Sequence, residues 1–245
     1  MNTANYSVFT LEPFPEVLPG DLLSRLIAEA ALTHPFLDGD IIVVASKVVS
    51  IEEGRRIDLR IVTPSSKALD LAEQTGKDAR LLQLILDESQ SYRLAGPKGP
   101  IIAFHRLGYE LTSAGVDRDQ ADSAYLLPLD PDASARRLRD ELHKLTQINI
   151  AVVICDSDGR PDRCGATVIA VGASGISPVR KTQALSGGKI KHQEETLVDM
   201  VVAAAGVVIG QRGRGAPVAV VRGINYDPSD AGVRSILHYA PRSNP

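Results

Sequence analysis

Tryptophan is absent from this chain of 245 residues and aromatic residues make up only 4% of it, so a core has to be built from valine, isoleucine, leucine and alanine. Length alone allows one large domain or two small ones. Neither sign of charge prevails. The 27 basic and 30 acidic side chains leave a formal net charge of −3, which speaks against a nucleic-acid footprint and leaves small ligands as the expected partners. No window approaches the roughly 18 uninterrupted apolar residues of a membrane span, so no membrane association is expected. The start, Met1 to Tyr6, has no basic stretch followed by an apolar one, and a cytoplasmic location is expected. There are only two cysteines, Cys155 and Cys164. Two thiols without further ligands at metal spacing make no zinc site, and reduced thiols are the default in a cytosolic chain, although a disulfide between these two is geometrically conceivable. Neither Gx(4)GK[ST] nor a GxGxxG after a strand is present, so a P-loop is excluded and any nucleotide must be held another way.

What the sequence does have is a buried strand that runs into a polar hairpin. Ile150 to Ile154 is nearly all β-branched, the pattern of a strand covered on both faces. The turn-forming cluster Asp156-Ser-Asp-Gly-Arg-Pro161 follows, and a second apolar run spans Val168 to Val171. Carboxylate and hydroxyl oxygens at the end of a core strand suit a hard cation such as Mg²⁺ or Mn²⁺, which shares its oxygens with substrate phosphates. The plainer reading of the same residues is an Asx-turn with surface charges.

Before this stretch, a strand is expected near Tyr6 to Thr10, and then a helix opened by Asp21 as N-cap with Leu22, Leu26, Ile27, Ala30 and Ala31 at helical spacing. Such a helix N-terminus can hold an anion, although usually it is only a cap. Ile41 to Ser50 reads as a buried strand pair or one long strand, interrupted by Lys47, which is either an edge residue or aimed at a phosphate. Ile57 to Val62 suggests a further strand, and helices are expected from Pro64 to about Glu73 and from Lys77 to Ser89. A strand at Ile101 to Phe104 with a hairpin partner from Tyr109 to Ala114 leads to a turn that places Asp117 at a strand end, as a ligand or as a plain turn carboxylate. Asp130 caps a helix carrying Leu138, Leu142 and Leu145. A helix from Glu194 to Ile209 has Glu194 and Glu195 in its first turn, where the helix dipole alone accounts for them. Gln211 to Pro217 is a basic, glycine-rich loop able to meet phosphate with backbone N–H groups and two guanidinium groups. From Asp227 onward the expectation is a short turn, a helix near Val233 and a loose tail. Elements alternate without long βαβ repeats, which favours an α+β mixed-sheet arrangement over a Rossmann fold.

Seven motifs in order, between residue 10 and about residue 223, resemble the coenzyme F420-0:L-glutamate ligase family, the gamma-glutamyl ligases of deazaflavin cofactor biosynthesis. They are Leu18-Pro-Gly-Asp21, Asp38-Gly-Asp40 followed by Val43-Val-Ala-Ser-Lys-Val-Val-Ser50, Glu53-Gly-Arg55, and Ala114-Gly-Val-Asp117. Leu129-Asp-Pro-Asp-Ala-Ser-Ala135, Asp156-Ser-x-Gly-Arg-Pro-x-Arg163 and Pro217-Val-Ala-Val-Val-Arg-Gly223 complete the set. The resemblance implies a ligase-like domain over residues 1–225, with room for two sub-domains, a C-terminal tail over 226–245, and an intertwined homodimer. It further implies a ligase that uses GTP and Mg²⁺ or Mn²⁺, with K⁺ as an additional candidate, to join L-glutamate to a carboxylate of F420-0 or a related acid through an acyl phosphate. By the same resemblance the metal ligands fall on Asp117, Asp156, Ser157 and Glu194. Nucleotide contacts fall on Leu18, Pro19, Gly20, Asp21, Ser46, Lys47 and Gln120, and on the loop Gly210, Gln211, Arg212, Gly213, Arg214 and Gly215. Arg160 and Arg163 become clamps for phosphate or carboxylate. The chain departs from the family pattern where Ile51 replaces a lysine, Ser113 and Gln120 each an asparagine, Ala184 an aspartate and Met200 a glutamate. Those departures keep two other readings open: an amide ligase of another pathway, and a non-catalytic relative that binds a nucleotide or deazaflavin.

Overall fold

The main sheet is built around the β-branched runs, in the order β1 (Ser7–Thr10), β13 (Val218–Arg222), β2 (Ile41–Ala45), β9 (Ala151–Gly159) and β10 (Ala166–Ser174). This is a computed structural model, and it describes residues 5–96, 99–160, 162–186, 189–210 and 215–238. Every neighbouring pair in the sheet is antiparallel except β2 and β9, which run parallel with Ile41 opposite Ala151 and Ala45 opposite Cys155. β2 and β13 are buried almost residue for residue, as β9 is up to Cys155, the expected state of strands packed on both faces. The covering helices are α1 (Leu23–Ala30), α5 (Pro131–Thr146) and α6 (Leu197–Ile209). α5 begins as its sequence requires: the Asp130 carboxylate accepts from Ala133 N–H at 3.1 Å and proline occupies the first turn.

The long connection between the two parallel strands holds a second, smaller unit. It is entered from α2 (Ser46–Glu52), whose Val48 and Val49 belong to the main core, and runs through β3 (Arg56–Asp58), α3 (Ser66–Thr75), α4 (Ala79–Asp87), β4 (Ser89–Leu94), β5 (Ile101–His105), β6 (Glu110–Thr112), β7 (Asp117–Arg118) and β8 (Ser123–Tyr125). Its strands form two three-stranded sheets, β3-β8-β7 and β4-β5-β6, around a separate core that includes Leu59, Leu71, Leu82, Ile85 and Ile101. The whole is an α+β chain with several sheets, and among the described residues no helix is long and apolar enough to cross a membrane.

Several elements differ from the sequence expectation. The run Ile41 to Ser50 is a five-residue strand followed at Ser46 by a helix, because a short apolar run does not by itself distinguish the two and Val48 and Val49 are buried from the helix. Ile57 to Val62 is a strand only to Asp58. There the Asp58 carboxylate takes the N–H of Arg60 at 2.9 Å and starts a 3₁₀ turn over Leu59–Ile61. Asp156, Ser157 and Asp158 lie within β9 instead of in a turn, because the hairpin ladder continues to Gly159 opposite Ala166. A two-stranded hairpin of β11 (Val179–Ser186) and β12 (Lys189–Thr196) stands where the expected helix had its first turn, so α6 starts at Leu197. A 3₁₀ helix over Val233–Ile236 stands where a helix was expected, and the segment up to His238 is docked, while the rest of the expected tail lies outside the described residues. Val233 is buried in the main core, and the Asp132 carboxylate accepts the N–H groups of Val233, Arg234 and Ala173. Both cysteines are free, Cys155 buried and Cys164 exposed.

Candidate active site

Parallel pairing of β2 and β9 brings two chain turns to the same edge. The residue after Ala45 is Ser46, the residue after Cys155 is Asp156, and the Ser46 hydroxyl donates to Asp156 Oδ1 at 2.7 Å. Burial pushes the Asp156 carboxyl up to about 7. The Ser46 hydrogen bond works the other way, and the charges of Asp117 and Asp158 add to the rise. Asp156 is thus a carboxylate in a poorly solvated place, with a second carboxylate near enough to repel it.

That second group arrives from the smaller unit. Asp117 opens β7 after Ser113, Ala114 and Gly115, all of which have positive φ. Two non-glycine residues in this region cost about 1–3 kcal/mol each, a strain of the kind that gathers at functional sites. Gly115 has no room for a side chain, since a Cβ would meet Leu127 at 2.7 Å. Across the gap, in the first turn of α2, Lys47 Nζ lies 3.5 Å from Asp117 Oδ2 and 3.2 Å from Asp119 Oδ1, and 5.0 Å from the ring centre of Tyr125. Tyr125 is the register partner of Asp117 across the β7–β8 pair. Ser46, Lys47, Asp117 and Asp156 therefore meet at one sheet edge, although they lie far apart in sequence.

Asp158, two residues beyond Asp156, accepts from Thr112 N at 2.8 Å and from its hydroxyl at 2.5 Å, while the same hydroxyl accepts from Gly159 N at 2.9 Å. This knot joins β6 to β9 and so fixes the smaller unit against the main sheet. Neither it nor Asp119 and Tyr125 is signalled by the sequence. They depend on short hairpins whose register no periodicity reveals.

The other candidates are placed as follows. Ser157 is exposed and, by strand alternation, points away from the face of Asp156. Arg160 and Arg163 are exposed and share one carboxylate: Arg160 Nε and Arg163 Nη2 each lie 3.1 Å from an oxygen of Asp162, and these contacts hold Asp162 down to about 2. Glu194 is on β12, opposite Lys181 at 3.8 Å, on a different sheet from Asp156. Leu18, Pro19, Gly20 and Asp21 form a turn in which Asp21 Oδ2 accepts from Leu18 N at 2.7 Å. Asp21 therefore does not cap α1, whose N-terminus instead receives the Glu52 carboxylate on Leu23 N at 2.9 Å. Gln120 is exposed beside the β7–β8 turn. Gly210 and Gly215 both have positive φ, and Gln211, Arg212, Gly213 and Arg214 lie outside the described residues.

Among the described residues no group of three or more histidine, cysteine, aspartate or glutamate side chains is set to hold a metal ion. The donors that do converge, the carboxylates of Asp156 and Asp117 and the Ser46 hydroxyl, are all oxygens. A set of that kind suits a hard divalent cation that draws its remaining ligands from water and phosphate.

The family model for F420-0:gamma-glutamyl ligase matches residues 13–223. A coenzyme F420:L-glutamate ligase of Methanothermobacter thermautotrophicus is 38% identical over 240 residues, 94% of this chain and 95% of the relative. The protein of the same name from Methanopyrus kandleri is 40% identical over 222 residues, covering 87% and 86%. That of Methanocaldococcus jannaschii is 41% identical over 207 residues, covering 83% and 81%.

Proposed function

The chain belongs to the F420-0:gamma-glutamyl ligase family, and on that premise we propose that it joins the amine of L-glutamate to a carboxylate of coenzyme F420-0 with GTP as phosphoryl donor and Mg²⁺ or Mn²⁺ as the metal. A carboxylate oxygen is a poor leaving group, so the acid must be activated first. Its oxygen attacks the terminal phosphorus of GTP, GDP departs, and the glutamate amine then displaces phosphate from the acyl carbon with loss of a proton. The protein's task is to hold these reactants in line and to balance their charge.

What supports the reading most is Asp156, a half-buried carboxylate at the shared edge of β2 and β9, beside Asp117 and in contact with Ser46. Asp156, Asp117 and the Ser46 hydroxyl would hold the cation, which when bound supplies neutralising charge and orientation to the phosphate oxygens. Lys47 brings an ammonium to the same edge as a phosphate partner. Arg160 and Arg163, both exposed and sharing a single carboxylate, have donors left for a phosphate or for a substrate acid.

A homodimer is part of the proposal. α6 is apolar apart from Asp199, and Met200 and Val207 are 42% and 79% exposed on a helix of the kind usually covered all round. The β11–β12 hairpin forms a sheet of only two strands, which is marginal without a further partner. Light scattering that returns a monomer mass across the micromolar range would remove this part. A different acid or amine is the second reading, favoured by Ile51, which packs its side chain against the main core at a position where a cation was expected.

The test is mass spectrometry of F420-0, L-glutamate, GTP and Mn²⁺ incubated with and without the protein. A one-glutamate mass increment that needs all components, and fails with ATP in place of GTP, is the expected result. No increment on F420-0, with turnover of another acid, would transfer the protein to the second reading.

A further inference from the structure

Lys47 is closer to Asp119 than to Asp117, at 3.2 against 3.5 Å. The side chain of Asp119 is the least exposed of the three, at 23% against 41% for Lys47 and 47% for Asp117. It is well fixed. Its N–H donates to Ser123 O at 3.0 Å and the Ser123 hydroxyl reaches its Oδ2 at 3.4 Å, so the short β7–β8 turn sets where this carboxylate stands. The ring of Tyr125 forms the other wall, with the ammonium 5.0 Å from its centre.

An ammonium so near Asp117 matters. Lysine is a compact point charge on a flexible stem, and with nothing to hold it elsewhere it would close onto Asp117 and compete with any cation for that carboxylate. We propose that Asp119 is a positioning residue: with Tyr125 it draws the Lys47 ammonium, which also pairs with Asp117 at 3.5 Å, to its own side, so that a divalent cation can compete for Asp117. The inference rests on the metal reading above and adds to it a residue that touches neither metal nor substrate. Asp119 acts through Lys47, and its effect on metal affinity disappears when Lys47 is neutral. A carboxylate that acted directly on the metal would keep its effect.

The experiment is a double-mutant cycle on the full chain without nucleotide. Mn²⁺ affinity is read from the free-ion electron paramagnetic resonance signal, and melting curves check that each variant folds. In the Lys47 background, Asp119→Asn is expected to weaken Mn²⁺ binding roughly tenfold, with Asp119→Ser as a second variant in the same direction. In the Lys47→Met background the same substitutions change affinity by less than about twofold. Equal weakening in both backgrounds overturns the positioning role and makes Asp119 a direct contributor to the ion's field. Failure of the metal reading has a different signature. Neither the wild type nor Lys47→Met then binds Mn²⁺ in a way that Asp156→Asn abolishes, and both proposals are overturned together.

Discussion

Asp156 and Glu88 are both carboxylates drawn out of water, one at the edge of the main sheet and one at the corner where α4 meets β4. Burial works against the charge of each. At Glu88 it is outweighed: His105 Nε2 at 3.3 Å, Arg106 Nε at 2.9 Å and Arg55 Nη2 at 3.4 Å hold the carboxyl down to about 2. His105 lies against the same carboxylate, with its Nδ1 accepting the N–H of Leu107 at 3.0 Å. At Asp156 burial prevails and takes the carboxyl up to about 7, because the Ser46 hydroxyl and a backbone hydrogen bond at Ser157 are offset by the charges of Asp117 and Asp158. A buried charge whose partners are all present fastens a fold, whereas one left short of positive charge is poised to receive it from outside. The difference separates scaffold from site without reference to any motif.

The sharpest way to break this contrast is to remove each carboxylate and read both stability and turnover. Asp156→Ala is expected to lower glutamate-dependent phosphate release about a thousandfold, since it removes the central cation donor. Its melting temperature should hold or rise, because an undercompensated buried charge is gone. Glu88→Ala should do the opposite. It leaves Arg55 and Arg106 facing a gap, costs about 3 kcal/mol of stability and keeps turnover within about threefold at a temperature where the variant is folded. If Asp156→Ala melts far earlier while turnover persists, the two carboxylates have been assigned the wrong way round.

Acid unfolding gives a finer distinction. The folded pKa of Glu88 is depressed from 4.5 to about 2, so its contribution to stability is fully present above about pH 4.5 and is lost as the pH falls toward 2. Across that window the melting temperature of the wild type should fall more steeply than that of Glu88→Gln. Parallel curves would mean that the ion pairs around Glu88 add nothing.

How much of this was legible in the sequence depends on the range of the interactions. The strand from Ile150 and the carboxylate that follows Cys155 could be read because a β-branched run and its end are local facts. So could the Asp130 cap of α5. The Ser46 helix could not, because its apolar residues fit a strand as well as a buried helical turn. Neither could β11 and β12, whose run from Arg180 to Gln183 is polar and without alternation; the charges that suggested a helix start, Glu194 and Glu195, instead face Lys181 and Arg180 across the ladder. Glu88, His105, Arg106 and Arg55 are ordinary surface residues until α4 and β5 are folded together. The site was half visible for the same reason. Asp117 and Asp156 follow apolar runs that the sequence displays and Lys47 interrupts another, while Asp119 and Tyr125 join them only through the register of a turn.

Asp158 offers the smallest effect and the most informative one, because it lies between the two cases. It shares a strand face with Asp156, yet Thr112 supplies it with two donors, and both are neutral. Thr112→Val keeps the shape and removes the hydroxyl, leaving Asp158 with one backbone N–H and Gly159 N without its acceptor. If Asp158 is scaffold like Glu88, the loss is about 1–2 kcal/mol of stability, seen as a lower melting temperature, with turnover nearly unchanged. If Asp158 belongs with Asp156, stability moves little and Mn²⁺ affinity shifts, because a carboxylate freed from Thr112 can turn toward the ion. The first outcome is expected, since the Thr112 knot joins the smaller unit to the main sheet and the approach of Asp117 to Asp156 depends on that union.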